Sequence, residues 1–136
     1  MFFNQLYRWG KRNPRHLFLL DGAGALLSLF LLGVVLVELE IFFGIPISTL
    51  YFLSFFPLCF LLFDLFCFSI VRRSHEVYLR IIAFLNIAYC LLSIILSIVH
   101  YEIISILGLL YILIEVIIIG VIAGLELSVA KTISRV

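Results

Sequence analysis

The chain has 136 residues, 65% of them hydrophobic and only 12% charged, with a mean hydropathy of +1.33. A soluble domain, at roughly 45–50% apolar and about 25% charged residues, has no core large enough to bury that excess, so a lipid bilayer has to supply the second apolar medium. Nine Lys and Arg against eight Asp and Glu leave a net charge of +1, which excludes a basic surface for nucleic acid, and three Cys make no disulfide framework.

Residues 1–13 alternate Phe2, Phe3, Leu6, Tyr7 and Trp9 with polar and basic side chains. That pattern suits an interfacial segment, with rings at headgroup depth and Arg8, Lys11 and Arg12 near anionic lipid. It reads either as an anchor for the first helix or as a lipid-recognition or partner-docking arm. Asn13-Pro14 then pairs a capping side chain with a proline whose missing N–H costs nothing in a first turn, which starts a helix.

A hydrocarbon core of about 30 Å needs roughly 20 apolar residues per helix. Four runs satisfy this, at about 14–43, 46–71, 77–99 and 103–127. The first extends to 43 if Glu38 and Glu40 point into the headgroups. Gly44-Ile45-Pro46 ends that helix and opens the next. The links at 72–76 and at His100-Tyr101-Glu102 are short, so successive helices are antiparallel neighbours. The expected fold is all-α: one integral membrane domain, an antiparallel up-down-up-down bundle of four transmembrane helices, with no internal repeat and no room for a separate soluble domain. The first span exceeds the ~7–15 apolar residues of a cleaved signal peptide and no small-x-small site follows it, so it is read as retained.

Arg8, Lys11, Arg12 and Arg15 precede the first span, Arg72, Arg73 and Arg80 flank the second link, and Lys131 and Arg135 follow the last span. The first and third links carry no basic residue. By the positive-inside rule both termini are expected in the cytoplasm.

Ionisable and strongly polar residues inside a bilayer are costly and therefore informative. Asp21, Asp64 and Asn86 stand roughly 6–12 Å from the cytoplasmic face at ~1.5 Å per residue, and Glu115 lies near mid-membrane. Helical spacing places Asp21, Gly24, Ala25 and Ser28 on one face, and likewise Asn86, Cys90, Ser93 and Ser97. Asp64 shares a face with Pro57 and Leu61. Gly108, Tyr111 and Glu115 also align, with the Tyr111 hydroxyl one turn from the acid. Asp21, Asp64, Asn86, Tyr111 and Glu115 are the ligand- or ion-binding candidates. On one reading they are interhelical hydrogen bonds, worth about 0.6 kcal/mol each on average. On the other they line a proton or cation site, because a carboxyl at mid-membrane without a Lys or Arg beside it must be neutral, hydrated or ion-bound.

Other chemistry finds little support. His16, His75 and His100 sit at span ends on two sides of the membrane and do not converge on a metal. Cys59 and Cys67 are ~12 Å apart by helical rise, beyond disulfide reach, and the absence of Cys-x-x-Cys disfavours a quinone-linked thiol oxidase. Cys90 reads as a small packing residue. There is no phosphate loop or serine-hydrolase motif, and no cofactor or metal is expected. Gly120 and Gly124 form a G-x-x-x-G that permits close helix approach, either within the monomer or at a homodimer seam.

The stretches Leu20-Asp21-Gly22-Ala23-Gly24-Ala25-Leu26, Phe43-Gly44-Ile45-Pro46, Ala88-Tyr89-Cys90 and Leu107-Gly108-Leu109-Leu110-Tyr111, with Glu115, resemble a group of small four-helix bacterial inner-membrane proteins. The resemblance covers nearly the whole chain and implies a bacterial inner-membrane location. It carries no activity. Small multidrug transporters also combine four helices with one membrane acid, but theirs is in the first span near mid-membrane, whereas Asp21 stands near the cytoplasmic end. The functional expectation is a non-enzymatic binding or accessory subunit with a polar pocket in the inner half of the bundle. Its partners would be the lipid bilayer and either a second copy or another membrane protein. The alternative is a proton- or cation-coupled small-molecule transporter acting as a homo-oligomer. An enzyme acting on lipid comes third, for want of a nucleophile or base.

Overall fold

The computed structural model describes residues 2–134; Arg135, one of the basic residues used for orientation, lies outside them. Every regular element among the described residues is helical. The N-terminal helix, Phe2–Arg12, leaves Phe2, Phe3 and Trp9 exposed and closes over Leu17 at Gly10, where a Cβ would stand 3.0 Å from the leucine side chain. It rests on the end of the last helix, where the Tyr7 and Thr132 hydroxyls are hydrogen-bonded.

Four helices are long and apolar enough to cross a membrane: Pro14–Glu38, Ile47–Ser69, His75–Val99 and Ile106–Ile133. With 23 to 28 residues each, they exceed the roughly 20 that a bilayer core requires. Their starts reflect local chemistry. Pro14 occupies the first turn as the sequence indicates, but Asn13 does not cap it. Its Nδ2 donates instead to the Trp9 carbonyl at 3.3 Å and so closes the preceding helix.

The first span also ends earlier than 43. The chain breaks at Leu39 (φ −107°, ψ 27°), and Glu40–Phe43 forms a separate turn that ends in left-handed Gly44 (φ 73°). A tertiary contact accounts for the break. The Ser105 N–H donates to the Phe43 carbonyl at 3.1 Å and Ser105 Oγ to the Phe42 carbonyl at 2.5 Å, so these carbonyls must face away from the first helix's own axis. At the other end, the fourth helix does not stop at 127 but runs on to Ser134. Its late polar residues turn into the protein: Glu126 is buried, and Thr132 Oγ1 donates to the Ser128 carbonyl at 3.0 Å.

The first span packs along the second and the third along the fourth, while the first and fourth meet over a much smaller area. Leu17, Phe18, Leu32, Leu50, Leu79 and Ile82 form the centre of the core. The segments before the second and fourth spans meet backbone to backbone. A Cβ on Gly44 would overlap the Ile103 carbonyl oxygen, and one on Gly108 would overlap that of Phe43. Thr49 Oγ1 and His100 Nε2 lie 3.2 Å apart at the same end. At the opposite end Arg15 Nε donates to the Phe68 carbonyl at 2.5 Å and its guanidinium sits 4.6 Å from the Phe68 ring centroid. Outward-facing Leu62, Phe84, Leu91, Ile98 and Ile117 are at least half exposed, an apolar girdle that only lipid would cover.

Candidate functional site

Each span sends one polar side chain to a common level. Asp21, Asp64, Asn86 and Glu126, from the first to the fourth span in order, are all at most 5% exposed. Asn86 Nδ2 donates to Asp21 Oδ1 at 2.7 Å and to Glu126 Oε1 at 3.3 Å, tying three spans together. The Asp21 carboxyl also lies close enough to those of Asp64 and Glu126 to interact with them electrostatically. Gly22 permits this approach, since a Cβ there would come within 3.4 Å of Asp64 Cβ. Donors are scarce: Asp21 Oδ2, both Asp64 oxygens and Glu126 Oε2 are buried and find no hydrogen-bond donor among the described residues.

A second group forms farther along the bundle. Glu115 Oε1 accepts from the Tyr89 hydroxyl at 2.8 Å, and Oε2 accepts from the Tyr111 hydroxyl at 2.6 Å. Between the two groups lies a cavity of about 220 Å³, bounded by Asp21 at one end and Glu115 with its tyrosines at the other. Three local features leave this space open. Gly24 and Ala25 have almost no side chain. Pro57 lies inside the second helix and removes one backbone hydrogen bond from it. The first span widens to a π-helix at Leu31–Val35, where Leu31 reaches the cavity wall. On the seam between the first and fourth spans the wall is Leu27, Ile114 and Ile118, each more than half exposed.

The five candidate residues therefore fall into two clusters. Asp21, Asp64 and Asn86 meet in one, and Tyr111 and Glu115 in the other. Glu126 and Tyr89 join these clusters without being among the candidates read from the sequence. Both carried a signal. Glu126 comes 11 residues after Glu115, close to three turns at 3.6 residues per turn, so the two acids share a face. Tyr89 comes three after Asn86, again one face.

Gly120 and Gly124 contribute nothing to packing within the chain, because a Cβ on either meets no atom within 4 Å. The three histidines lie at separate helix ends, and among the described residues no three His, Cys, Asp or Glu side chains are placed to hold a metal ion. Cys67 and Cys90 are buried and Cys59 is exposed, all as free thiols. Compared with the models of known families, with curated proteins and with solved structures, the chain finds no match.

Proposed function

We propose that this chain is a bacterial inner-membrane protein of up-down-up-down topology, with both termini in the cytoplasm. In this reading it works as a small non-enzymatic binding or accessory subunit whose site is the cavity between the two carboxyl clusters. The observation that carries the reading is that cavity: about 220 Å³, polar at both ends, walled by apolar side chains and bordered by a seam exposed to lipid. Ligand sites have this character, apolar overall with a few convergent polar groups that orient the occupant. The size suits a small molecule, given that an engineered cavity of about 150 Å³ takes benzene. The asymmetry of the basic residues supports the orientation.

Purification in lipid nanodiscs, with mass spectrometry of every small molecule retained, tests this reading. Gly24→Leu, which places a side chain in the cavity, should expel the occupant while leaving the helices intact. A folded parent and a folded Gly24→Leu protein that retain the same molecules would contradict it.

One observation favours a second reading, a proton- or cation-coupled small-molecule transporter acting as a homo-oligomer. The two carboxyl clusters stand at different depths and border one continuous space. Flux of a bound molecule in proteoliposomes, abolished in Glu115→Gln, would support transport; tight binding without flux would leave the binding subunit.

A further inference from the structure

The chemistry of the cavity narrows what it takes, and this step rests on the proposal that the cavity is a binding site. Its Tyr89 and Tyr111 hydroxyls are already committed to Glu115, and its Asn86 amide to Asp21 and Glu126. Its acceptors are in excess at one end, where Asp21 is 5% exposed with Oδ2 lacking a donor and Asp64 behind it is 1% exposed with neither oxygen satisfied. A buried acceptor left without a donor is costly, so an occupant rich in N–H groups is favoured there. The carboxyls are not arranged for a metal ion. An ammonium group needs no fixed coordination shell and brings three donors. The rings of Phe60 and Tyr89, edge to face with centroids 6.1 Å apart, both border the cavity. Aromatic faces of this kind attract a cation.

We infer that the cavity takes a small primary amine with an apolar body, its ammonium on Asp21 and its body against Phe60, Tyr89 and the wall of Leu27, Ile114 and Ile118. The same ammonium chemistry is offered by a free amine and by the head of an ethanolamine phospholipid reaching in from the seam. In both cases the recognised group is the N–H-bearing cation.

Three probes of one size separate the alternatives: 2-phenylethylamine, 2-phenylethanol and phenylacetate, titrated against the whole protein in phosphatidylcholine nanodiscs at neutral pH. The amine should bind at least tenfold more tightly than the alcohol, and phenylacetate should not bind. Asp21→Asn should weaken the amine tenfold or more and leave the alcohol unchanged, as expected for loss of a charged hydrogen bond. Asp64→Asn, which supplies an N–H to Asp21 from within the protein, should also weaken the amine and serves if Asp21→Asn does not fold. Repeating the titration with phosphatidylethanolamine in the nanodisc identifies the source. Weakened binding means that the headgroup competes for the site, and unchanged binding means that a free amine is the occupant. Equal affinity for amine and alcohol would overturn the ammonium inference while leaving the cavity as a site. Binding of none of the three would overturn both.

Discussion

Asn86→Leu removes the one side chain that ties the first, third and fourth spans together while keeping a similar volume. Two hydrogen bonds disappear, at 2.7 and 3.3 Å. Interhelical hydrogen bonds in membranes average about 0.6 kcal/mol and reach about 1.7. The shorter bond, to a carboxyl that is 5% exposed, belongs near the top of that range, and the longer one near the mean. The expected loss is therefore about 2 kcal/mol, roughly a thirtyfold shift in the folding equilibrium. Reversible unfolding in mixed micelles of increasing dodecyl sulfate content, monitored by circular dichroism, measures it. A double-mutant cycle with Asp21→Ala isolates the shorter bond and should return a coupling of about 1.5 kcal/mol, well above the ~0.3–0.5 kcal/mol scatter of independent sites. Additivity within that scatter would refute the Asn86–Asp21 contact and with it the convergence of four spans on one level.

Gly108→Ala should cost about 1–3 kcal/mol in the same assay, because the added methyl overlaps the Phe43 carbonyl oxygen, whereas Gly120→Ala should be close to neutral. Gly124→Leu should likewise leave the monomer intact, and a fall in the oligomer fraction seen by analytical ultracentrifugation would show that this open face is a seam between copies. Glu115→Gln keeps a carbonyl acceptor for one tyrosine hydroxyl and presents an N–H to the other, whose oxygen can accept it, so it should unfold within about 1 kcal/mol of the parent; a much larger loss would mean that the carboxyl itself holds the bundle together. For orientation, a single Cys in place of Tyr101, 69% exposed, should react with an impermeant thiol reagent from outside intact cells. Reaction only after lysis would invert the proposed topology.

The four spans were legible because crossing a bilayer imposes a length and a composition that few other structures satisfy. The break at Leu39 was not, because its cause is a contact with Ser105, 66 residues away. Asn13 has the side chain of a cap for the first span, yet it closes the N-terminal helix instead, a choice made by backbone angles that no propensity encodes. Tyr111 and Glu115, four residues apart on one helix, were legible as a pair from spacing alone. Glu126 shows the limit: its spacing from Glu115 was readable, but its burial depends on the third span, 40 residues away, whose Asn86 amide donates to it at 3.3 Å. A polar pocket among the candidate residues was expected from the sequence, but its position was illegible for the same reason, since the cavity arises where the first and fourth spans fail to close.

In the proposed binding mode this gap holds a ligand oriented by Asp21. Crystals grown from a lipid phase with 2-(4-bromophenyl)ethylamine, measured at the bromine absorption edge, test it directly. One anomalous peak is expected between the first and fourth spans, within the wall of Phe60, Leu27 and Ile118, with the amine nitrogen toward Asp21. Bromine found only on the outer apolar girdle, with the space between the carboxyl clusters closed by side chains, would contradict it.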